Sequence, residues 1–252
     1  MIPTLLAADE PSPVEVVGAD APGPFVILCD HAGRQLPRAL GSLGLSSDEL
    51  QQHIAWDIGA AAVARHLSVA LDAPLFLQRY SRLVIDCNRP LSAPDSIPVK
   101  SGGIDIPGNV RVTRAEAEER ARAIFAPYHR TIESALAQRS GYLLVTMHSF
   151  TPELYGVRRP FHAGVLYERD TRLAASLLQL LRQEPGLVVG DNEPYAASAA
   201  TDYAIIEYGE KRGAPYVELE VRQDLVSDEP GQRLWAERFA RLLRIASATF
   251  RF

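Results

Sequence analysis

The sequence predicts an α/β protein built on a largely parallel or mixed sheet. Three observations carry that expectation: short apolar runs rich in β-branched residues, longer stretches of helical period between them, and abrupt polarity where several of the runs end. The run Phe25-Val26-Ile27-Leu28 follows Pro22-Gly23-Pro24 and shows no polar alternation, so it reads as a strand buried on both faces. Similar runs cover 74–77, 83–85, 142–147, 163–167, 186–189 and 216–221. Helical spacing in 58–71 puts Val63, Leu67, Ala70 and Leu71 on one stripe. Thr113-x-x-Glu116 is a capping box that opens a long helix, with Ile124, Phe125, Ile132 and Leu136 as its buried face. Leu173, Leu177 and Leu181 mark a helix over 171–181, and Trp235, Phe239, Leu242, Leu243 and Ala246 mark one over 229–246. The stretch 90–110 is rich in Pro and Gly without periodicity. It reads as a long loop, either a lid or binding element or a plain excursion. No composition shift divides the chain, so one domain over 1–252 is expected, and no internal repeat is visible.

Charge and cysteine usage bound the function. The 252 residues carry 26 Lys and Arg against 31 Asp and Glu, a net charge of −5, which leaves no basic footprint for nucleic acid or an acidic membrane. Two cysteines, Cys29 and Cys87, make neither a disulfide framework nor a zinc knuckle, and a reducing cytoplasm is the expected compartment. No basic segment precedes an apolar run at the N-terminus, so no signal peptide is expected, and no stretch approaches about 18 uncharged apolar residues. No Gly-x-Ser-x-Gly elbow points to a serine hydrolase, and both cysteines read as small buried hydrophobes.

The polar residues lie where an α/β sheet binds its ligands, beyond the carboxyl ends of strands. Four runs deliver them: Asp30-His31-Ala32-Gly33-Arg34, Asp86-Cys87-Asn88-Arg89, Met147-His148-Ser149 and Glu218-Leu219-Glu220-Val221-Arg222. Two imidazoles and a carboxylate suit an open zinc site, a free Glu beside it can take a proton from water, and an Arg can hold an anion. Glu218 and Glu220 share one face of their strand, and Glu220, nearer the carboxyl end, is the better base. His66 and His129 fall within helical stretches and read as structural, and nothing requires His162 to reach the cleft. His53 lies four residues before Asp57 and could share a metal with it. The preferred reading is that Asp57 alone faces the cleft, from the first turn of a helix.

These residues together resemble the N-formylglutamate amidohydrolase family. The resemblance rests on Asp30-His31-Ala32-Gly33, on 53–60 (HIAWDIGA), on 81–90 (SRLVIDCNRP, its most specific part) and on Glu218-Leu219-Glu220-Val221-Arg222, and it spans about 25–225. The family is itself similar to zinc carboxypeptidases and aspartoacylases. The resemblance therefore implies a three-layer α/β/α fold around a mixed, mostly parallel sheet, and one Zn2+ ion. It implies His31 and His148 as metal ligands and Glu220 as the catalytic base. The carboxypeptidase-like His-x-x-Glu is broken by Arg34, so the third ligand is expected to be Asp57, with Asp30 as the fallback. Asn88 and Arg89 would hold the α-carboxylate of a small anionic N-acyl amino acid, and Arg82 or Arg158 its side-chain carboxylate. The implied reaction is hydrolysis of N-formyl-L-glutamate to formate and L-glutamate. Its alternatives are a zinc carboxypeptidase or amidase acting on a peptide or cell-wall fragment, and a non-catalytic carboxylate-binding relative.

Overall fold

The structure is a computed structural model that describes residues 4–251; residues 1–3 and 252, the outermost of the span 1–252, lie outside the described residues. Seven strands form the central sheet: β1 (Val14–Val17), β2 (Phe25–Cys29), β3 (Leu75–Gln78), β6 (Leu143–Phe150), β9 (Ala163–Leu166), β10 (Val189–Asp191) and β11 (Tyr216–Arg222). Their order is β1-β3-β2-β6-β11-β9-β10. The pairings of β3 with β2, β2 with β6, β6 with β11 and β9 with β10 are parallel, whereas β1–β3 and β11–β9 are antiparallel. Two short ribbons stand apart, β4 (Lys100–Ser101) with β5 (Ile104–Asp105), and β7 (Glu153–Leu154) with β8 (Val157–Arg158).

Side chains alternate across a strand, so each continuous apolar run feeds two cores. Ile27, Leu75, Val145, Leu219 and Val165 point to one face, under α1 (Ala60–Leu71), α4 (Arg172–Leu181) and α5 (Glu229–Ala246). Val26, Phe76, Leu144 and Tyr216 point to the other, under α2 (Arg114–Arg120) and α3 (Ala126–Leu136), which a π-helical turn at Ala121–Phe125 joins. The result is a three-layer α/β/α arrangement around a mixed, mostly parallel sheet. Thr113 and Glu116 form the capping box at the start of α2. Among the described residues no helix is long and apolar enough to cross a membrane.

Two expected strands differ. Residues 83–85 make no strand: Leu83 packs into one hydrophobic cluster, Val84 and Ile85 into another, and the backbone turns from Ser81 to Val84. Consecutive apolar residues here serve two neighbouring clusters through a turn, a pattern that local sequence does not separate from a buried strand. The run at 186–189 pairs only from Val189 onward. The edge strand β1 was not expected, because Val14-Glu15-Val16-Val17 is short and interrupted by a charge.

Candidate active site

On the face that carries Leu144 and Tyr216, β6 and β11 change character toward their carboxyl ends. The register places Thr146 beside Glu218 and His148 beside Glu220, so the apolar floor gives way to a polar wall beyond the helical layer. The next parallel strand, β2, ends at Cys29 and delivers Asp30 and His31 to the same edge. Between these ends opens a cavity of about 490 Å3. His31, His53, Asp57, Arg82, Asn88, Arg89, His148, Glu218 and Glu220 all line it. Ser101 and Gly102 of the first ribbon, Leu154 and Tyr155 of the second, and Tyr195 to Asp202 of a long loop form its rim. The Pro- and Gly-rich stretch 90–110 thus contributes to the mouth through its short ribbon.

Asp57 reaches the imidazoles by backbone design rather than from a helical turn. Its N–H donates to the carbonyl of His31 at 2.9 Å, and α1 begins three residues later, after Gly59 at φ +82°. A side chain at Gly59 would place Cβ 2.3 Å from the Val226 carbonyl oxygen, so only glycine lets the chain turn there. The neighbouring segment is fastened by Ser81 Oγ on the Ala55 carbonyl (2.7 Å) and Ser149 Oγ on the Ile58 carbonyl (2.8 Å).

The three residues close up around one point. His31 Nδ1 and His148 Nδ1 lie 3.4 and 3.0 Å from Asp57 Oδ2, and one ligand atom from each residue falls within 4.8 Å of the others. All three side chains are buried, and His31 Nδ1 has no hydrogen-bond partner. Two imidazole nitrogens and one carboxylate oxygen are the donor set of an open tetrahedral zinc site, so the residues fit a divalent ion. Behind the rings, His31 Nε2 meets Asp86 Oδ1 at 2.8 Å and His148 Nε2 lies 3.7 Å from Asp30 Oδ2. Asp30 therefore stands behind an imidazole, on the side away from Asp57, and Asp86 backs the other ring instead of lining the cavity beside Asn88.

Charge crowding sets the protonation of the site. Burial and the Arg82 cation oppose charging of His31, but the carboxylates of Asp86 and Asp57 outweigh them and raise its pKa to about 9. Burial also works against an ionised Asp57, yet Arg82 and His31 hold its carboxyl well below the usual range. Glu220 goes the other way: burial first, then the Asp57 carboxylate, push it well above. Glu218, which accepts from Thr146 Oγ1 at 3.1 Å, is pushed up by burial and by Asp202.

Of the residues named from sequence, His31, Asp57, Arg82, Asn88, Arg89, His148 and Glu220 converge here. Arg82 is paired with Asp57 Oδ1. Asn88 Oδ1 accepts from the Ala204 N–H at 3.1 Å, which turns its amide nitrogen away from that loop. Arg89 donates to Asp95 (3.0 Å) and to the Thr201 carbonyl, tying the rim loop down. Arg158 is exposed on the second ribbon and lines no part of the cavity, and Val157 beside it is exposed as well. Its neighbour Arg159 stacks over Tyr195 with 4.7 Å to the ring centre. Arg34 is an exposed residue over Trp56, 5.3 Å from the ring centre, far in role from the Glu of a His-x-x-Glu motif. His129 is structural, bonded to Tyr208 Oη (2.8 Å) and the Cys87 carbonyl (3.0 Å). His53 corrects the expectation that Asp57 faces the cleft alone: both line it, with His53 Nδ1 3.5 Å from Asp57 Oδ1. The i, i+4 spacing was the available signal, and a turn rather than a helix satisfies it.

The chain resembles known proteins across nearly its whole length. A crystal structure of a gene product from Agrobacterium tumefaciens is 37% identical, with 97% of this chain and 98% of that one aligned at a TM-score of 0.94. The N-formylglutamate amidohydrolase from Ralstonia eutropha shares the fold at 20% identity and a TM-score of 0.65, over 94% of this chain and 98% of that one. No curated protein matches the sequence. Residues 23–227 match the family model described as N-formylglutamate amidohydrolase. With that match enclosing every cavity-lining residue described above, the chain belongs to the N-formylglutamate amidohydrolase family.

Proposed function

We propose that this protein is a zinc-dependent amidohydrolase that cleaves N-formyl-L-glutamate to formate and L-glutamate. The observation that carries the proposal is the buried cluster of His31, Asp57 and His148 beside a Glu220 held in register with His148. The three side chains would hold the ion, and imidazole with carboxylate favours zinc over harder cations. When bound, the ion supplies Lewis-acid polarisation of a carbonyl oxygen and lowers the pKa of water toward about 7.

The remaining chemistry belongs to the chain. Glu220 accepts a proton from the attacking water and delivers it to the amide nitrogen as the C–N bond breaks. Compensation of the Asp57 charge favours the ionised Glu220 that this role needs. The Asn88 amide nitrogen and the Arg89 guanidinium hold the α-carboxylate, and Arg82 is the cation available to the side-chain carboxylate. These local cations matter because a net charge of −5 repels a dianion at long range. Arg158, outside the cavity lining, has no part in this arrangement.

The test is product analysis with N-formyl-L-glutamate and a set of short peptides. Equimolar formate and L-glutamate, with no peptide cleavage, is the expected result. Cleavage of peptides in preference to the formyl amino acid would replace the proposal with a peptidase.

A further inference from the structure

We propose that a second cavity, separate from the one that carries the chemistry above, binds a small organic carboxylate on the buried guanidinium of Arg120.

Arg120 closes α2 and is 3% exposed, yet it forms no ion pair among the described residues. The capping box explains why. Glu116 stands one turn earlier, at the spacing of a helical ion pair, but its Oε2 is drawn to the helix start by the Thr113 N–H (2.8 Å) and Oγ1 (2.7 Å). Burial accordingly pulls the Arg120 pKa below the usual arginine value, opposed only by the more distant Glu116 charge. A guanidinium stays charged even so, and a buried cation without a close counter-charge costs stability that an incoming anion would relieve.

The free side of the fork selects the ligand. Arg120 Nη1 spends its two hydrogens on the Val84 carbonyl (3.0 Å) and Asn109 Oδ1 (2.7 Å). Nε and Nη2 have no partner among the described residues, and neither is sealed from solvent. Those two nitrogens form the side of the fork that takes a carboxylate through parallel bonds. The cavity Arg120 lines measures about 390 Å3, with Leu40, Pro107, Val110 and Val112 as apolar walls and Arg111 as a second cation. Two arginines against Glu116 leave this lining positive in a chain of net charge −5. Apolar walls around a forked cation suit a short-chain organic acid better than a strongly hydrated inorganic anion. Behind the fork, Asn109 Nδ2 donates to the Leu83 and Pro98 carbonyls (both 2.8 Å), so the bound acid would rest on the network that anchors the loop carrying Ser101 and Gly102 to the active-site rim.

The experiment follows the arginine Nε–H signals of the isotope-labelled full chain by NMR, with the Arg120 signal assigned through its backbone. Isobutyrate, isobutyramide and inorganic phosphate are titrated separately at constant ionic strength. Isobutyrate should shift the Arg120 signal saturably, the neutral amide should leave it in place, and phosphate should act more weakly than isobutyrate. Val110→Glu, which adds a like charge to the lining at a position 62% exposed, should weaken the isobutyrate effect by about tenfold or more without loss of fold. A signal unmoved by isobutyrate, moved equally by isobutyramide, moved at least as strongly by phosphate, or indifferent to Val110→Glu would overturn the proposal.

Discussion

His148 and Glu220 stand side by side on adjacent parallel strands, on the same face and in the same register. Strand pairing therefore fixes the distance between the candidate ligand and the candidate base. The prediction is that Glu220→Gln keeps its zinc and its fold but loses about 10²–10⁴ in kcat, the usual worth of a general base. Zinc content and kcat, measured on one preparation, check it; full turnover in the variant would remove Glu220 from the reaction.

Asp86 accepts from His31 and, through the same oxygen, from the Asn88 N–H at 2.8 Å, coupling the ring to the turn that carries Asn88 and Arg89. A carboxylate behind a ligating imidazole sets its tautomer and orientation. Asp86→Ala should weaken zinc binding by about 10–100-fold, read by competition with a chromophoric chelator. Unchanged affinity would reduce Asp86 to a turn residue.

This last relationship shows where sequence reading ends. Glu220 was legible as a cavity residue, together with Glu218, because two acids sharing one face of a buried strand have few structural explanations. His31 and His148 were legible as strand-end imidazoles. Asp86 was read only as part of the polar run it shares with Asn88 and Arg89, because nothing local shows that a turn at 86 folds back behind the ring at 31. Arg158 and Arg159 are adjacent in sequence, and only the ribbon geometry decides which one faces Tyr195. The fold itself was largely written in the apolar runs, except where 83–85 feeds two clusters from a turn.

Gly164 on β9 lies against the rim loop, where a Cβ would sit 2.1 Å from the Glu193 carbonyl oxygen. Glu193 stands two residues before Tyr195, which lines the cavity with Ala196. Gly164→Ala should cost about 1–3 kcal/mol of stability and lower kcat/KM as the rim shifts. Thermal unfolding and steady-state kinetics test both; a variant unchanged in each would show that the loop adapts freely.

His129 links stability to acid. Burial pushes its pKa down from 6.5 to about 3, so between those values the unfolded chain binds a proton that the folded one does not. Stability is therefore complete above about pH 6.5 and falls as pH drops toward about 3, by up to about 1.4 kcal/mol per pH unit from this residue. Urea unfolding of the wild type and His129→Gln should give stability profiles that converge in this window on acidification. Parallel profiles would mean that His129 charges in place.

The central claim is that His31, Asp57 and His148 hold one catalytic ion. The most direct measurement is formate release from N-formyl-L-glutamate, followed as the metal is removed by chelation and zinc is added back, with bound metal quantified at each step. The account predicts one equivalent per chain, activity lost in proportion to metal removed and restored by zinc, and no stoichiometric ion in His31→Ala or His148→Ala. Full activity in protein verified to be metal-free would contradict it.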